Sequence, residues 1–373
     1  MSAKVLISGA GIAGSTLAYW LGKYGFAVTV VERAAQRRTS GSPVDVRGAA
    51  VEVVTEMGIM PELRAGATHV ERITFVDGSG RRRATVRMSA FGERDDEIEV
   101  ARADLAGILL GAAGDRAEIR WGDTVAGLVQ DVSGVRVTFE QAPPERFDYV
   151  VGADGLHSTV RRLVFGPERN FLRHRGIYIA TLPVQRLVGD DREVLMYNTP
   201  GRSVSVHPAG GRPLAAFMFR RGEIPGLDYR ETAAHRRILI GEFTHRTGIF
   251  ADLLDQVRTA EDLYFDSVGQ VRLPSWSHGR VSLLGDAASC VSLFGNGSSA
   301  AIVGARTLAE ELARTPELPR AALSRYEHRH RAVTGGEQRG LRLAAALLVP
   351  ASRPGILLRD TAVRTVGRFR ADR

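Results

Sequence analysis

Three glycines and an acid near the start of the chain have the types and spacing of a phosphate-binding site. Gly9, Gly11 and Gly14 follow the pattern GxGxxG, in which glycine permits a tight turn and lets a diphosphate approach the backbone. The N–H groups at the start of the following helix attract phosphate oxygens. Glu32 stands 18 residues after Gly14, where a carboxylate accepts hydrogen bonds from ribose hydroxyls and disfavours a 2′-phosphate. The pattern predicts a dinucleotide site without resident NADP.

The segments around these residues have the patterns of the elements needed to hold them. Lys4–Ser8 is apolar enough for a buried strand, Ile12–Tyr24 has the composition of a helix, and Phe26–Val31 is a second apolar strand. A strand–helix–strand unit of this kind places the glycines at the turn from strand to helix. A glycine-rich turn without a ligand is the alternative, but the register of strand, helix and acid favours the dinucleotide.

A second glycine-rich site comes late in the chain. A buried strand at Val281–Leu284 leads into Gly285 and Asp286, and Gly295–Gly297 comes before a long helix that starts near Ser298. That helix start is again a place for anionic groups, and one dinucleotide can span both sites. A flavin suits this arrangement, because its pyrimidine ring gains negative charge on reduction. The alternative is that Asp286 only caps a structural turn.

A third motif lies between these two. The buried strand at Phe147–Val151 is followed by Asp154 and Gly155, and then by His157 and Arg161 at the start of a predicted helix. By itself, Asp154 reads equally well as a helix cap.

Together these three motifs, in this order, resemble the group A flavoprotein aromatic hydroxylases, the family of p-hydroxybenzoate hydroxylase. Within that family, the tetracycline-inactivating monooxygenases are the most similar, and the resemblance covers essentially the whole chain. It implies non-covalently bound FAD that is reduced by NADPH or NADH. The nicotinamide cofactor would bind transiently, without a separate binding domain. A C4a-hydroperoxyflavin would then transfer one oxygen atom from O2 to an aromatic or polyketide-like small molecule. The flavin carries the chemistry, so no catalytic side chain and no metal is expected.

The resemblance also assigns residues to the cofactor. It places Arg102 against FAD, Asp286 near its ribityl or diphosphate oxygens, Asp45 beside the flavin, and Arg47 near flavin or NAD(P)H phosphates. For the two arginines, surface pairing with acids is the alternative. The predicted cofactor-binding residues are Gly9, Gly11, Ala13, Gly14, Glu32, Arg33, Asp45, Arg47, Arg102, Val125, Asp154, Asp286, Gly295, Gly297 and Ser298.

The chain departs from the family pattern near the second glycine site. Ser289 and Leu293 stand where the family commonly has His and Pro, and Gly304 stands where the following helix commonly has an acid. The loop before Ser298 is also one residue shorter. These changes leave the FAD site intact in the sequence, but they alter the segment that borders the reactive face of the flavin in relatives.

Short alternating runs separated by Gly/Pro turns fill the middle of the chain and indicate a second, mostly antiparallel sheet. We therefore predict an α/β fold: a Rossmann-like FAD-binding domain with an inserted, mostly antiparallel β-sheet substrate domain and C-terminal helices. The predicted FAD-binding domain is discontinuous, with residues 1–70, 97–168 and 268–340. The substrate-binding domain takes 71–96 and 169–267, and the C-terminal helices take 341–373.

The substrate is expected between the flavin and the inserted sheet. Met196, His207, Phe217 and Phe219 come from the runs that should form the pocket face, although each also reads as ordinary core. Two other functions of the same fold remain open, a prenyl-reductase-like FAD enzyme and a non-catalytic flavin-binding protein. A flavin halogenase would need a WxWxIP segment, which the sequence lacks.

The composition is that of a globular protein with about two domains: 373 residues, 44% hydrophobic and 25% charged. A single cysteine, Cys290, rules out an internal disulfide and indicates a reducing cytoplasm. Because the first strand begins at Lys4, we expect no signal peptide, and no apolar run approaches the roughly 18 residues of a membrane span. The net charge is +8, but arginines and acids alternate along most of the chain, so no nucleic-acid partner is expected.

Overall fold

The computed structural model describes residues 2–36, 41–88, 96–243, 251–290, 296–335 and 341–371. The strands, in chain order, are β1 (Lys4–Ser8), β2 (Ala27–Glu32), β3 (Pro43–Val46), β4 (Arg72–Val76), β5 (Arg82–Arg87), β6 (Ile98–Ala101), β7 (Ala117–Trp121), β8 (Val125–Gln130), β9 (Val135–Phe139), β10 (Glu145–Phe147), β11 (Tyr149–Gly152), β12 (Leu172–Pro183), β13 (Glu193–Thr199), β14 (Arg202–His207), β15 (Leu214–Arg220), β16 (Tyr264–Val271), β17 (Ser277–His278) and β18 (Val281–Leu283).

The α-helices that the described ranges contain alternate with these strands and then fill the end of the chain. They are α1 (Ile12–Lys23), α2 (Ala49–Glu56), α3 (Met60–Ala65), α4 (Arg102–Ala113), α5 (Thr159–Phe165), α6 (Thr232–Phe243), α7 (Ala251–Thr259), α8 (Asp286–Ser289), α9 (Asn296–Arg314), α10 (Pro319–Thr334), α11 (Leu341–Leu348) and α12 (Arg353–Ala371).

The first sheet has the strand order β17-β18-β11-β1-β2-β7 and is parallel except for the short edge strand β17. Val5, Leu6 and Ile7 are fully buried, as expected for a parallel strand with both faces covered. The helix α1 packs against α4 and α9, and its residues 12–21 are all buried. The Rossmann-like unit predicted from the glycine motif is confirmed.

The second sheet has seven strands in the order β16-β12-β15-β14-β13-β4-β5. All of its neighbours are antiparallel except β13 and β4, so the prediction of an inserted, mostly antiparallel sheet is confirmed. One face packs against α6 and α7 through Leu239, Phe243 and Val257. We call this the helix-covered face, and we call the opposite one the inner face.

The C-terminal helices pack on the inner face of the second sheet. Leu348 and Val349, at the end of α11, contact Met218 and its apolar neighbours. Arg220 donates hydrogen bonds to the carbonyl oxygens of Val349 and Ala345 at 2.6 and 2.8 Å, and α12 lies along β5. The end of α11 therefore covers the inner face around Met218 and around Met196. Within the described ranges, no helix combines the length and the apolar character needed to cross a bilayer.

Candidate active site

The three motifs meet at one edge of the first sheet. β1, β11 and β18 are parallel neighbours, and β2 lies on the other side of β1. Because their carboxyl ends point the same way, Gly9, Glu32, Asp154 and Asp286 follow strand ends along a single edge. Ligands of open α/β sheets bind at this edge.

The glycine loop has no room for side chains on its inner side. Gly9 has a φ of +105°, and a Cβ there would lie 2.5 Å from the carbonyl oxygen of Ala153. A Cβ on Gly14 would overlap the carbonyl oxygen of Gly9, so the helix and the loop touch through backbone atoms. Gly11 differs, because a Cβ there would meet no atom within 4 Å. The loop is closed beneath Gly9 and Gly14 and open above Gly11.

The open side of the loop coincides with the start of α1. Gly11 is the N-cap residue and provides no side chain to bond the first N–H groups of the helix. These groups and the helix dipole remain directed at the space above Gly11, where a diphosphate would fit.

Glu32 fixes the end of β2 to this loop. Its Oε2 atom accepts a hydrogen bond from the N–H of Ala10 at 2.9 Å, and Oε1 accepts one from Ala34 at 3.0 Å. Each carboxylate oxygen has a second lone pair for a ribose hydroxyl. The N–H of Asp123 donates to the carbonyl oxygen of Glu32, which brings the segment before the buried Val125 to the same place.

Asp154 caps the turn that leads into α5. Its carboxylate accepts hydrogen bonds from the Ser158 hydroxyl and from the N–H of Val160, at 3.1 Å for the latter. Burial raises the pKa of Asp154 above its ordinary value. Its Cα would lie 3.0 Å from a Cβ on Gly9, and Arg33 reaches the following helix through a 3.1 Å hydrogen bond to Thr159. The capping role is observed, and contact with FAD stays a prediction.

The second glycine site lies directly against the first. A Cβ on Gly285, whose φ is +62°, would lie 2.9 Å from the Cβ of Ala13 in α1. Oδ1 of Asp286 is 3.7 Å from the Cβ position of Gly297, so Asp286 stands beside the first turn of α9. Gly295 and Leu293 lie outside the described residues. The arrangement brings two helix N-termini, those of α1 and α9, to one side of the sheet.

The strand β3 is joined to the same turn of α9. Ser298 donates a hydrogen bond to the carbonyl oxygen of Asp45 at 2.6 Å, and the N–H of Arg47 donates to the Ser299 hydroxyl at 2.9 Å. The Asp45 and Arg47 side chains form an ion pair at 3.1 Å, and Glu97 lies 3.8 Å from Arg47. The alternative of pairing with acids is therefore observed for Arg47, which remains 26% exposed beside the site.

Arg102 is the first residue of α4 and is exposed, and the part of the chain that the structure describes contains no ion-pair partner for it. Its charge acts on the hydroxyl of Tyr264 at the start of β16, as does the charge of Asp286. Tyr264 was not predicted from the sequence. It stands on the inner face of the second sheet, and its strand contacts the short helix α8 that begins at Asp286.

The four predicted pocket residues do not share one face, which corrects the sequence analysis. Phe217 and Phe219 are fully buried against α6 and α7 on the helix-covered face, whereas Met218 between them points to the inner face. Met196 is paired with Ser205, and both lie on the inner face, as does His207 two residues further along β14. Side chains alternate along a strand, and the sequence runs did not reveal which set points inward.

One row of the inner face runs from Tyr264 to Met196, and its Met196 end packs with Phe75, Ala84 and Val86 against Leu348 at the end of α11. We call it the pocket row; it runs across five strands through residues that are paired directly. Its members are Tyr264, Thr181, Ala216, Ser205 and Met196.

Two hydroxyl groups in the pocket row have different surroundings. The buried Thr181 hydroxyl has no hydrogen-bond partner among the described residues. The Ser205 hydroxyl is 3.1 Å from Nε2 of His207, and burial lowers the pKa of His207 to about 4. At neutral pH His207 is therefore uncharged, and the two hydroxyls and the imidazole form a polar, neutral surface.

Gly304, one of the departures from the family pattern, has a structural role. A Cβ there would lie 2.6 Å from Nε2 of His330, a buried residue of α10. His330 borders a small cavity together with Asp286, Ser289 and Gly297. Burial lowers the pKa of His330 to about 4, so this ring is also neutral. Glycine at 304 admits the ring, a relationship that the sequence motif did not indicate.

These observations fit FAD. The two uncapped or small-residue helix starts can hold the diphosphate and the pyrimidine end, and Glu32 can hold the adenosine ribose. The fold and the sheet-edge site define a dinucleotide-binding flavoprotein. Within the described residues, no cluster of histidine, cysteine or acidic side chains has the geometry of a metal site.

A model of the family described as FAD binding domain matches residues 2–336. Among known proteins, an uncharacterized protein of Mycobacterium tuberculosis is 39% identical over 314 residues, which span 83% of this chain and 84% of the relative. A flavin-dependent monooxygenase of Legionella longbeachae is 34% identical over 83% of this chain and 80% of its own length. The chain therefore belongs to the family of FAD-dependent monooxygenases, and FAD is its cofactor.

The solved structures include one that resembles the whole chain. The crystal structure of the tetracycline destructase Tet(51) has a TM-score of 0.84 and 30% identity, and the match covers 99% of this chain and 98% of that one. The resemblance to the tetracycline-inactivating type, which the sequence motifs indicated, is thus confirmed at the level of the fold and family.

Proposed function

We propose that this chain hydroxylates an aromatic or polyketide-like small molecule with NADPH or NADH and O2. Bound FAD would supply the redox and oxygen-transfer chemistry that the family resemblance implies. The protein would hold the cofactor, place the substrate and exclude water. The observation that carries this proposal is the convergence of Gly9, Asp154 and Asp286 on a sheet edge beside Tyr264 and the pocket row.

The pocket row supports an uncharged substrate with oxygen substituents. Ala216, between Thr181 and Ser205, offers a small apolar contact to a ring, whereas Met196 packs with Phe75 against Leu348. The Thr181 hydroxyl is buried and has no partner within the described ranges, which costs about 1–3 kcal/mol unless a ligand provides one. No member of the row carries a formal charge at neutral pH. A hydroxyl or carbonyl group on the substrate would satisfy Thr181.

The test is the reaction of the purified, FAD-loaded protein with NADH and NADPH. Oxidation of the nicotinamide, uptake of O2 and release of H2O2 are followed with and without a panel of phenols and polyketide aromatics. Substrate-stimulated O2 uptake with a product heavier by one oxygen atom supports the hydroxylase. Turnover to a saturated product without O2 would instead indicate a reductase, and a flavin that neither nicotinamide reduces would indicate a non-catalytic binding protein.

A further inference from the structure

A chain of hydrogen bonds crosses the contact between the two domains. The Tyr264 hydroxyl donates to Oδ2 of Asp266 at 3.2 Å, and Oδ1 of Asp266 lies 3.1 Å from Nε2 of His157. Tyr264 and Asp266 belong to β16 in the second sheet, whereas His157 stands between the Asp154 motif and α5 in the first domain. Three titratable groups are therefore joined in sequence across the interface.

The outer end of this chain reaches solvent. Nδ1 of His157 is 2.9 Å from Oε1 of Glu168, and the side chains of these two residues are 27% and 33% exposed. The other oxygen of Glu168 accepts a hydrogen bond from the fully buried Arg161, which also donates to the carbonyl oxygen of Ala287. Arg161 thus fixes Glu168, and through it the imidazole, relative to the helix that begins at Asp286.

The inner end of the chain lies near the Asp286 motif, because β16 contacts the helix α8 that begins at Asp286. Tyr264 is the end of the pocket row next to Thr181, and its hydroxyl feels the charges of Arg102 and Asp286. Burial raises the pKa of Tyr264 above its ordinary value, so this hydroxyl is protonated at neutral pH. It can therefore release a proton only while it accepts another.

His157 is held in its charged form. Burial would lower its pKa, but the hydrogen bonds to Asp266 and Glu168 and their negative charges outweigh this and raise the pKa to about 9. The ring stacks on Tyr229 at 3.9 Å between centroids, which keeps both nitrogens directed at the carboxylates. At neutral pH the imidazolium therefore holds a proton beside Asp266.

We propose that His157, Asp266 and Tyr264 carry a proton from solvent to the flavin-facing end of the pocket, an inference that rests on the proposed function. His157 gives the Nε2 proton to Oδ1 of Asp266. The Asp266 carboxyl group then turns about its Cβ–Cγ bond, which brings the protonated oxygen to the Tyr264 hydroxyl. The acid gives this proton to the Tyr264 oxygen while the Tyr264 O–H, turned away from Asp266, releases its own proton into the pocket. His157 regains a proton from water at its exposed edge. One proton moves inward, no electrons move, and every group returns to its starting state.

The proposed reaction requires this proton. Oxidation of NAD(P)H with transfer of one oxygen atom to the substrate and release of the other as water consumes one proton from solvent. Release of H2O2 without substrate also consumes one. Because the site must exclude bulk water to protect oxygen transfer, a fixed set of side chains is needed to deliver the proton.

The decisive variant is Tyr264→Phe, which keeps the ring and removes the hydroxyl that ends the relay. Asp266→Asn removes the central acid. The matched control is Tyr229→Phe, because Tyr229 loses only a 3.2 Å hydrogen bond to Ser267 and keeps its stacking on His157. We expect Tyr264→Phe to retain FAD affinity and anaerobic reduction by NAD(P)H within about twofold. The O2-dependent step should slow by about tenfold or more, with a changed solvent deuterium isotope effect.

A second readout does not depend on turnover. In the ¹⁵N NMR spectrum of the FAD-loaded protein, the His157 ring should titrate near pH 9, and Asp266→Asn should lower that pKa because one of its two carboxylate partners is gone. Tyr229→Phe should leave the titration in place. The NMR titration reports on the contacts between His157 and its carboxylate partners. The isotope effect separates the relay from a structural role, because a Tyr264 that served only in folding would change stability and leave the isotope effect unaltered.

The outcomes for the relay and for the proposed function are separable. Normal reoxidation of reduced Tyr264→Phe by O2, with the isotope effect and pH profile of the parent, would overturn the relay and leave the hydroxylase intact. If the parent does not accept hydride from NAD(P)H, the proposed function fails. The relay is then judged by reoxidation of dithionite-reduced parent and variant proteins, where an identical isotope effect overturns it as well.

Discussion

Gly14 lies so close to Gly9 that a Cβ on Gly14 would overlap the Gly9 carbonyl oxygen and stand 3.2 Å from Cγ2 of Ile7. No side-chain rotation relieves this contact, because the Gly9 atom belongs to the backbone. Gly11, only three residues away, has nothing within 4 Å of its Cβ position. Glycine at position 14 therefore allows the backbone to pack closely, whereas glycine at position 11 leaves space for a ligand.

This difference gives a matched pair of substitutions. Gly14→Ala should lower the free energy of unfolding of the FAD-free chain by about 1–3 kcal/mol, because the backbone of α1 must move. Gly11→Ala should change it by no more than about 1 kcal/mol. It should still weaken FAD binding by tenfold or more, because its methyl group enters the space of the diphosphate. Thermal unfolding and flavin titration measure the two effects, and equal FAD affinity of Gly11→Ala and parent would place the diphosphate elsewhere.

Asp286 is expected to act on the cofactor and not on the fold. It stands beside Gly297 at the start of α9 and has intermediate exposure. Asp286→Ala should lower FAD retention or slow reduction by NAD(P)H while the melting temperature of the FAD-free chain stays within a few degrees. Asp255→Ala, a highly exposed acid on α7, is the control for loss of one negative charge. Parent-like flavin content and reduction in Asp286→Ala would remove this residue from the site.

Two buried hydroxyls on the inner face test the position of the substrate. Thr181 and Ser203 both lack a hydrogen-bond partner among the described residues. Ser203 is paired with Met218 and Asn198, which contact the end of α11, whereas Thr181 lies in the pocket row. Thr181→Val should raise KM about tenfold with FAD affinity unchanged, because the substrate loses its hydrogen bond. Ser203→Ala should leave KM as it is. A parent-like KM in Thr181→Val would exclude this hydroxyl from substrate binding.

The sequence predicted the FAD-binding half well because its constraints are local. Gly14 needs to be glycine because of its contact with Gly9 in the same loop, and the strand and helix on either side have their own periodicity. The contact of Gly9 with Ala153 is the long-range exception. The sequence did not predict which side chains of β15 point to the inner face. Phe217 and Phe219 are large and apolar, yet they pack outward against helices, and only the pairing of β15 with its neighbours shows that Met218 points inward.

The proposed proton relay could not be predicted from sequence patterns either, because it depends on contacts between residues that are far apart in the chain. His157 was visible as part of the Asp154 motif, but its partner Asp266 is 109 residues away along the chain. The contact depends on how β16 docks against the first domain, and nothing in the spacing of either residue indicates it. His330 shows the same limit, since only the packing of α10 on α9 explains why residue 304 is glycine.

The raised pKa of His157 predicts a loss of stability in alkaline solution. The folded-state value of about 9 lies above the ordinary 6.5, so the charged ring stabilises the fold fully below pH 6.5 and this contribution disappears as the pH rises through 9. A difference of this size corresponds to at most about 3 kcal/mol. His157→Gln keeps polar contacts to Asp266 and Glu168 but does not titrate. The free energy of unfolding, measured by urea denaturation from pH 6 to 10, should exceed that of the variant at pH 6. The two curves should converge near pH 10, and parallel curves across this range would show that the two carboxylates do not hold the imidazolium.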